Sequence, residues 1–383
     1  MKIGIDISQI VYGTGVSFYT QNLVEHLLKI DKKNEYVLFG GSLRQQEKLR
    51  DFGAKVFPFP PSLADFIWNR LHILPVEKFI GSIDIFHSSD WTQPPSKAAK
   101  VTTIHDFGFL KYPETAHPKI AAVHKRRLAW IKKECDLIIA VSQSTKRDII
   151  EILGIPEEKI RVVYEATPTD INRIEDQKVI DKVKKKFGVK GDYLLTVATL
   201  EPRKNLKRII EAFRLFSNGS NVHRINSNRL EKNSGNSRMT LVIVGKAGWD
   251  EEINKLAKKQ SSNIIFTGYV NREVELSAFY SGAACFVYPS LYEGFGLPIL
   301  EAMKCGCPVV TSNVSSMPEV AGEAGILVNP LDVKDIVRGI EMVIRDKAIG
   351  ERLRKKGFEQ VKKFSWEKTA KETLRVYHEV IEK

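Results

Sequence analysis

Tyr288-Pro-Ser-Leu-Tyr-Glu293-Gly-Phe-Gly-Leu-Pro-Ile-Leu-Glu301-Ala-Met303 is the stretch from which the rest of this chain can be read. The apolar run Ala284–Tyr288 reads as a buried strand, a loop with two glycines follows, and Leu297-Pro298 opens a helix. Proline suits a first helical turn, where its missing N–H would have had no partner. Gly294 and Gly296 let backbone amides come close to a ligand, and the positive end of the helix dipole favours an anion. The loop therefore reads as a diphosphate cradle. Glu293 falls at its mouth and Glu301 about two turns into the helix. A carboxylate in either place can accept hydrogen bonds from sugar or ribose hydroxyls. The spacing of the two acids carries no weight by itself in a chain this rich in Glu; the strand–loop–helix context does.

Outward from that stretch the same alternation recurs. In the first half, strands are predicted at Lys2–Ile7, Tyr36–Phe39, Ile83–His87, Lys100–His105, Leu137–Val141 and Lys159–Val163. In the second half they fall at Tyr193–Val197, Thr240–Val244, Ile264–Thr267, Ala284–Tyr288, Pro308–Thr311 and Gly325–Val328. Continuous apolar strands separated by helical segments imply parallel sheets covered on both faces. The array occurs twice, so the fold class is α/β: two doubly wound, Rossmann-like domains facing across a cleft, with ligands at the carboxyl ends of the strands. At 383 residues the chain is too long for one ordinary domain. The expected division is residues 1–168, a linker at 169–190 and a second domain at 191–364. Residues 217–238, rich in Asn, Ser and Gly without periodicity, read as a surface insertion. Ser365 is an N-cap for a terminal helix that packs back on the first domain.

A second constellation, Thr196-Val-Ala-Thr-Leu-Glu201-Pro-Arg203-Lys204-Asn205-Leu206, opens the second half in the same strand–turn–helix manner. A basic pair at a helix start is commonly a solvated turn. Beside a glycine cradle, Arg203 and Lys204 read as cations that neutralise a diphosphate without a metal ion. The formal charge of +13 asks for an acidic partner: nucleic acid, an anionic membrane or phosphorylated small molecules. No apolar run approaches the ~20 residues that span a bilayer, and Lys2–Ile7 is a strand rather than a signal sequence. The four cysteines form no disulfide framework, and Cys305-Gly-Cys307 lacks the second pair that zinc needs. A reducing, cytoplasmic compartment fits this usage.

These segments resemble the retaining nucleotide-sugar glycosyltransferases of family 4, which have the GT-B fold, and within it the mannosyltransferases of bacterial O-antigen and polysaccharide assembly. The likeness runs over nearly the whole chain: Gly13-Thr-Gly15, Thr103-Ile-His105-Asp106-Phe-Gly108, Val141-Ser-Gln-Ser-Thr-Lys-Arg-Asp148, Leu200–Leu206, Ser315-Ser-Met-Pro-Glu-Val320 and Phe364-Ser-Trp-Glu367. The resemblance implies roles. Glu301 would bind the ribose hydroxyls, and Glu293, with backbone from Gly294, Phe295, Gly296 and Leu297, the transferred sugar. Arg203 and Lys204 would bind the diphosphate, and Gly13, Thr14 and Gly15 would face it from the first domain. His105 would lie near the sugar, and the backbone at Tyr269 and Val270 would meet the base. Many members carry an arginine where this chain has Ala198 and Thr199, so either Arg203 substitutes or the phosphate is held less tightly. Retention of anomeric configuration is implied by the resemblance alone.

The expected activity is therefore hexosyl transfer, with mannose from GDP-mannose as the favoured donor and a saccharide, lipid-linked at the membrane face, as acceptor. A UDP-sugar such as UDP-glucose with a soluble acceptor is the alternative. No metal or other cofactor is expected, because no Asp-x-Asp pair follows a strand. Asp106 is a poor general base; the donor phosphate itself can take the acceptor's proton. Helix Pro118–Cys135 carries Ile120, Val123, Leu128, Ile131 and Cys135 on one face and Lys125, Arg126, Lys132 and Lys133 opposite, a candidate for an anionic membrane surface. Arg127 falls in the apolar stripe, where it either snorkels or pairs. Membrane binding would be strengthened if Trp68 and Phe66 insert beside this helix; the alternative is that the cluster Phe66, Ile67, Trp68 and Leu71 packs into the domain. Two other classes fare worse. An NAD oxidoreductase needs a third glycine where Gly13-Thr-Gly-Val-Ser-Phe18 has Phe, and a nucleic-acid binder needs a recognition motif that is missing.

Overall fold

In this computed structural model the described residues are 1–219, 239–259 and 263–382. The expected insertion lies, beyond its first residues, outside them. The chain divides into two units, Met1–Pro168 with Phe364–Lys383, and Thr169–Lys363.

Burial on both faces fixes the strands of each unit. In the first they are β1 (Lys2–Asp6), β2 (Glu35–Gly41), β3 (Lys55–Phe57), β4 (Ile85–Ser88), β5 (Ala99–Ile104), β6 (Leu137–Ala140) and β7 (Ile160–Val162). They form one parallel sheet in the order 3-2-1-4-5-6-7. In the second unit β8 (Tyr193–Val197), β9 (Thr240–Val244), β10 (Ile264–Gly268), β11 (Cys285–Tyr288), β12 (Val309–Ser312) and β13 (Gly325–Val328) form a parallel sheet in the order 10-9-8-11-12-13. Ile3, Ile85, Leu137, Leu194, Val287 and Val309 are fully buried, as strands with helices on both faces require. Each order reverses once, between β1 and β4 and between β8 and β11. Loops that leave neighbouring strands there diverge and leave a crevice at the carboxyl ends.

Every strand expected from sequence is present. The unexpected one is β3, one exposed and two half-buried residues at the sheet edge between Gly53 and Pro58, too short for an alternation to show. Residues 169–190, read as a linker, belong by their contacts to the second unit. Asn172 and Ile174 donate backbone hydrogen bonds to Ser277 Oγ (3.2 Å) and Ser281 Oγ (2.9 Å), and Ile180 and Val183 are buried. The terminal helix, Trp366–Glu382, packs on helix Gly15–Ile30 of the first unit. Trp366 Nε1 donates to Thr167 O at 3.0 Å, and Tyr377 is fully buried.

Candidate active site

The loops that follow β8 and β11 carry the second unit's site, and they are tied to one another. The β8 loop makes a single 3-10 turn, Pro202–Lys204, closed by Asn205 in the left-handed region (φ 60°). Asn205 Nδ2 donates to Pro289 O at 2.9 Å and to Pro330 O at 2.7 Å. Leu291 N donates to Arg203 O, and Arg203 Nη1 to Tyr292 O, both at 2.9 Å. From behind, Gly245 presses on the loop so closely that a Cβ there would stand 1.8 Å from Ala198 O. Ala198 and Thr199 therefore sit on a backbone with no slack, and the guanidinium near the site is that of Arg203.

These ties bring three predicted residues together. Glu293 Oε1 accepts hydrogen bonds from Lys204 Nζ and from the Tyr288 hydroxyl, each at 2.7 Å; Oε2 accepts from Arg203 Nη1 at 3.2 Å. Glu201 supplies a second carboxylate, 3.0 Å from Arg203 Nη2. All four side chains are largely buried, with Glu293 at 8% exposure and Lys204 at 13%. Burial alone would protonate Glu293, but Lys204 and then Arg203 outweigh it and hold the carboxyl near 2. Burial likewise pulls Lys204 down, and Glu293 more than restores it, above the usual lysine range. At neutral pH, Glu293 thus has no proton to give. It can only accept hydrogen bonds, which suits sugar hydroxyls and excludes general acid work.

Past Glu293, Gly296 (φ 102°) turns the chain into helix Leu297–Lys304, whose start has no side-chain cap. A side chain at Gly296 would be strained in that region and tight against Ile299. Glu293 O receives Ser315 Oγ (2.5 Å) and Ser316 Oγ (2.9 Å), which anchor the segment Gly294–Gly296 from below. On the same helix Glu301 is buried: Arg272 Nη2 donates to Oε1 at 2.7 Å and the Tyr280 hydroxyl to Oε2 at 2.9 Å. Each oxygen retains a lone pair for a further donor. Arg272 also binds Asp170 and is held above its usual range, as Glu301 and Asp170 overcome its burial. It begins two residues after Val270, so the loop after β10 and Glu301 come close together. Val270 is buried and Tyr269 is 66% exposed.

The first unit keeps a separate set. Gly13 ends the turn Ser8–Tyr12 after β1. Thr14 caps helix Gly15–Ile30 in a reciprocal box with Ser17, so its side chain and amide are already engaged in a structural role. His105, just past β5, donates from Nδ1 to Glu165 Oε1 at 2.9 Å and stands edge-on to Tyr19. Burial would neutralise this imidazole, but Glu165 raises its pKa above the ordinary histidine value. His87 beneath it is buried without a counter-ion and is held near 3 by burial and then by His105 and Arg127. Asp106 Oδ1 accepts from Gly108 N at 2.9 Å, a turn contact.

Helix Pro118–Glu134 corrects one expectation and decides two alternatives. Lys125, Lys132 and Lys133 are exposed, but Arg126 is paired to Asp65 (Nη2 to Oδ2, 2.5 Å), and Arg127 is buried and paired. Trp68 is 3% exposed, packed on Phe39, Phe59 and Phe79, and so does not insert anywhere; Phe66 is 48% exposed. Among the described residues no helix is long and apolar enough to cross a membrane. A groove of about 400 Å³ between helices Leu206–Gly219 and Glu251–Lys258 holds none of the expected site residues.

Sequence reading missed Tyr288, Glu201, Arg272, Tyr280 and Glu165. Tyr288 and Glu201 stood inside quoted motifs as a strand end and a turn. Arg272, Tyr280 and Glu165 meet their partners only through the fold.

Residues 13–171 match the model described as Glycosyltransferase Family 4, and residues 177–360 that of Glycosyl transferases group 1. The chain is 33% identical over 297 residues to O-antigen chain mannosyltransferase B of Escherichia coli, a match covering 76% of this chain and 74% of that one. It is 34% identical over 259 residues to the serotype-specific mannosyltransferase WbdA of Escherichia coli, covering 66% of this chain but only 30% of that much longer protein. Sucrose-phosphate synthase of Thermosynechococcus elongatus shares the fold, with a TM-score of 0.73 over 99% of both chains at 18% identity. The chain belongs to glycosyltransferase family 4 and has the GT-B fold of two Rossmann-like domains.

Proposed function

We propose that the chain transfers mannose from GDP-mannose to a saccharide acceptor, with retention of configuration and without a metal ion, in the building of a surface polysaccharide. The observation that carries this reading is the convergence of Lys204 and Arg203 on Glu293 at the carboxyl ends of β8 and β11. The names of the two Escherichia coli relatives support mannose and the O-antigen setting. In the reaction the bond from the anomeric carbon to the diphosphate breaks and a bond to an acceptor oxygen forms on the same face. The acceptor's proton passes to the departing phosphate oxygen. Lys204 and Arg203 meet the charge that develops on the diphosphate, the task a divalent cation performs elsewhere. Glu293 and the amides of Gly294, Phe295 and Gly296 orient the transferred sugar, with Leu297 opening the helix behind them. Glu301 takes the ribose hydroxyls, and backbone at Tyr269 and Val270 meets the base. Gly13 and Gly15 serve the phosphates and His105 the sugar. Lys125, Lys132 and Lys133 give a weak attraction to anionic headgroups, about 1 kcal/mol each.

The test is turnover of GDP-mannose with a mannose-terminated oligosaccharide, with the anomeric configuration of the product read by NMR. A retained α-linkage formed at the same rate with and without EDTA is expected. Dependence on manganese would overturn the metal-free reading, and preference for UDP-sugars the donor.

A further inference from the structure

The helix Pro118–Glu134 buries an arginine where its apolar stripe calls for a hydrocarbon. Arg127 is 1% exposed; Nη1 donates to Asp90 Oδ1 at 3.0 Å, and Nη2 to Thr102 Oγ1 at 2.8 Å and Thr103 O at 3.0 Å. Its Nε has no partner among the described residues. A buried ion pair with an unsatisfied donor is a poor source of stability, and a hydrocarbon of similar volume would serve the core at least as well. What the guanidinium does provide is position. It fixes Asp90 just past β4, beside the switch point of the first sheet, and no described residue donates to Asp90 Oδ2. Asp90 lines a small cavity with Asp6, Tyr19, Ser89, Thr103 and His105. Its volume, about 20 Å³, admits one oxygen atom and its hydrogens.

We propose that Asp90, held by Arg127, is a binding carboxylate that takes one hydroxyl of a saccharide substrate. Two acids at this cavity repel a phosphate, whereas a hydroxyl can donate to Asp90 Oδ2 and accept from its neighbours. His105 also lines the cavity, and since its Nδ1 is engaged by Glu165, its second ring nitrogen is the one left to hydrogen-bond a ligand. Arg127 is a positioning residue, since it acts only through Asp90. The hydroxyl belongs either to the transferred sugar or to the acceptor.

The inference rests on the transferase reading, which wild-type turnover of GDP-mannose tests by itself. With turnover in hand, Asp90→Asn is expected to raise the KM of one sugar substrate about tenfold or more, because a site built to bind a hydroxyl loses most when that contact is lost. The affinity for GDP, which has no transferred sugar, is expected to stay unchanged. A rise in the KM for GDP-mannose assigns the hydroxyl to the transferred sugar; a rise in that for the oligosaccharide assigns it to the acceptor. Arg127→Lys, which keeps charge but not the two-pronged geometry, should show the same split and carries the test if the Asn variant does not fold. In the wild type, one monodeoxy analogue should lose about tenfold. Unmoved KM values in the variants, a parallel loss of GDP affinity, or equal use of every monodeoxy analogue by the wild type would overturn the proposal.

Discussion

Glu293→Gln removes one charge from the second unit's cluster and leaves its shape in place. Sequence alone suggests a loss of catalysis with little change in melting, but the structure adds a stability effect. Without the carboxylate, Lys204 and Arg203 stay buried with Glu201 as their nearest acid, 4.0 Å from Lys204 and 3.0 Å from Arg203. Breaking a buried pair from one side costs about 3–5 kcal/mol, and the remaining acid argues for the lower end, about 3. For a domain of roughly 200 residues that lowers Tm by about 6–12 °C. The pH dependence has a definite sign. Glu293 titrates near 2 when folded, against about 4.3 unfolded. Its contribution is therefore complete above about pH 5 and drains away as the pH falls toward 2. Calorimetry of wild type and variant should show a Tm gap that is full at pH 7 and clearly narrower by about pH 3. The kcat should fall by about 10²-fold or more, as for other lost contacts to developing charge. Equal melting temperatures at pH 7, or a gap that does not narrow in acid, would refute the argument.

Three further outcomes are expected. Glu301→Ala should weaken GDP binding, read by calorimetric titration, while Arg272→Ala should do so through the loss of Glu301's orientation; unchanged affinity in both would remove Glu301 from the nucleotide site. Glu165→Gln should drop the His105 pKa below the ordinary histidine value, because burial, the largest influence, then outweighs the remaining acid Asp90, and an NMR titration of the imidazole reads the shift directly. Charge reversal of Lys125, Lys132 and Lys133 should release the protein from anionic liposomes at low salt, and reversal of Arg126 should lower Tm instead, since that residue is spent on Asp65.

How much of this was legible in the sequence depends on how local each feature is. The strands of both sheets show because burial on both faces forces a continuous apolar run, and β3 does not because three edge residues need no such run. Glu293, Arg203 and Lys204 could be placed together because each follows a strand, and ligands of doubly wound sheets gather at the carboxyl ends of the strands. That their charges bind each other in the free protein needed distances. Arg126 misleads because a helical wheel tells which side a residue takes, not what the neighbouring segment Asp65–Leu71 brings against it. Arg127 stands out in the sequence as an anomaly in a stripe, and only its partner, on a loop 37 residues away, gives the anomaly a use.

The ties between the β8 and β11 loops bear on how such a protein can vary over generations. Asn205 reaches both Pro289 and Pro330, Arg203 is hydrogen-bonded through its carbonyl to Leu291 and through its side chain to Tyr292, and Gly245 leaves the first loop nowhere to retreat. A substitution in one loop is therefore felt by a peptide some ninety positions further along the chain. New donor preferences should arise through paired changes in both segments, and libraries that randomise either loop alone should return mainly unfolded or unchanged proteins. Exchange of both loops together from a relative, with the residues at 245 and 330 carried along, is the move that the architecture accommodates.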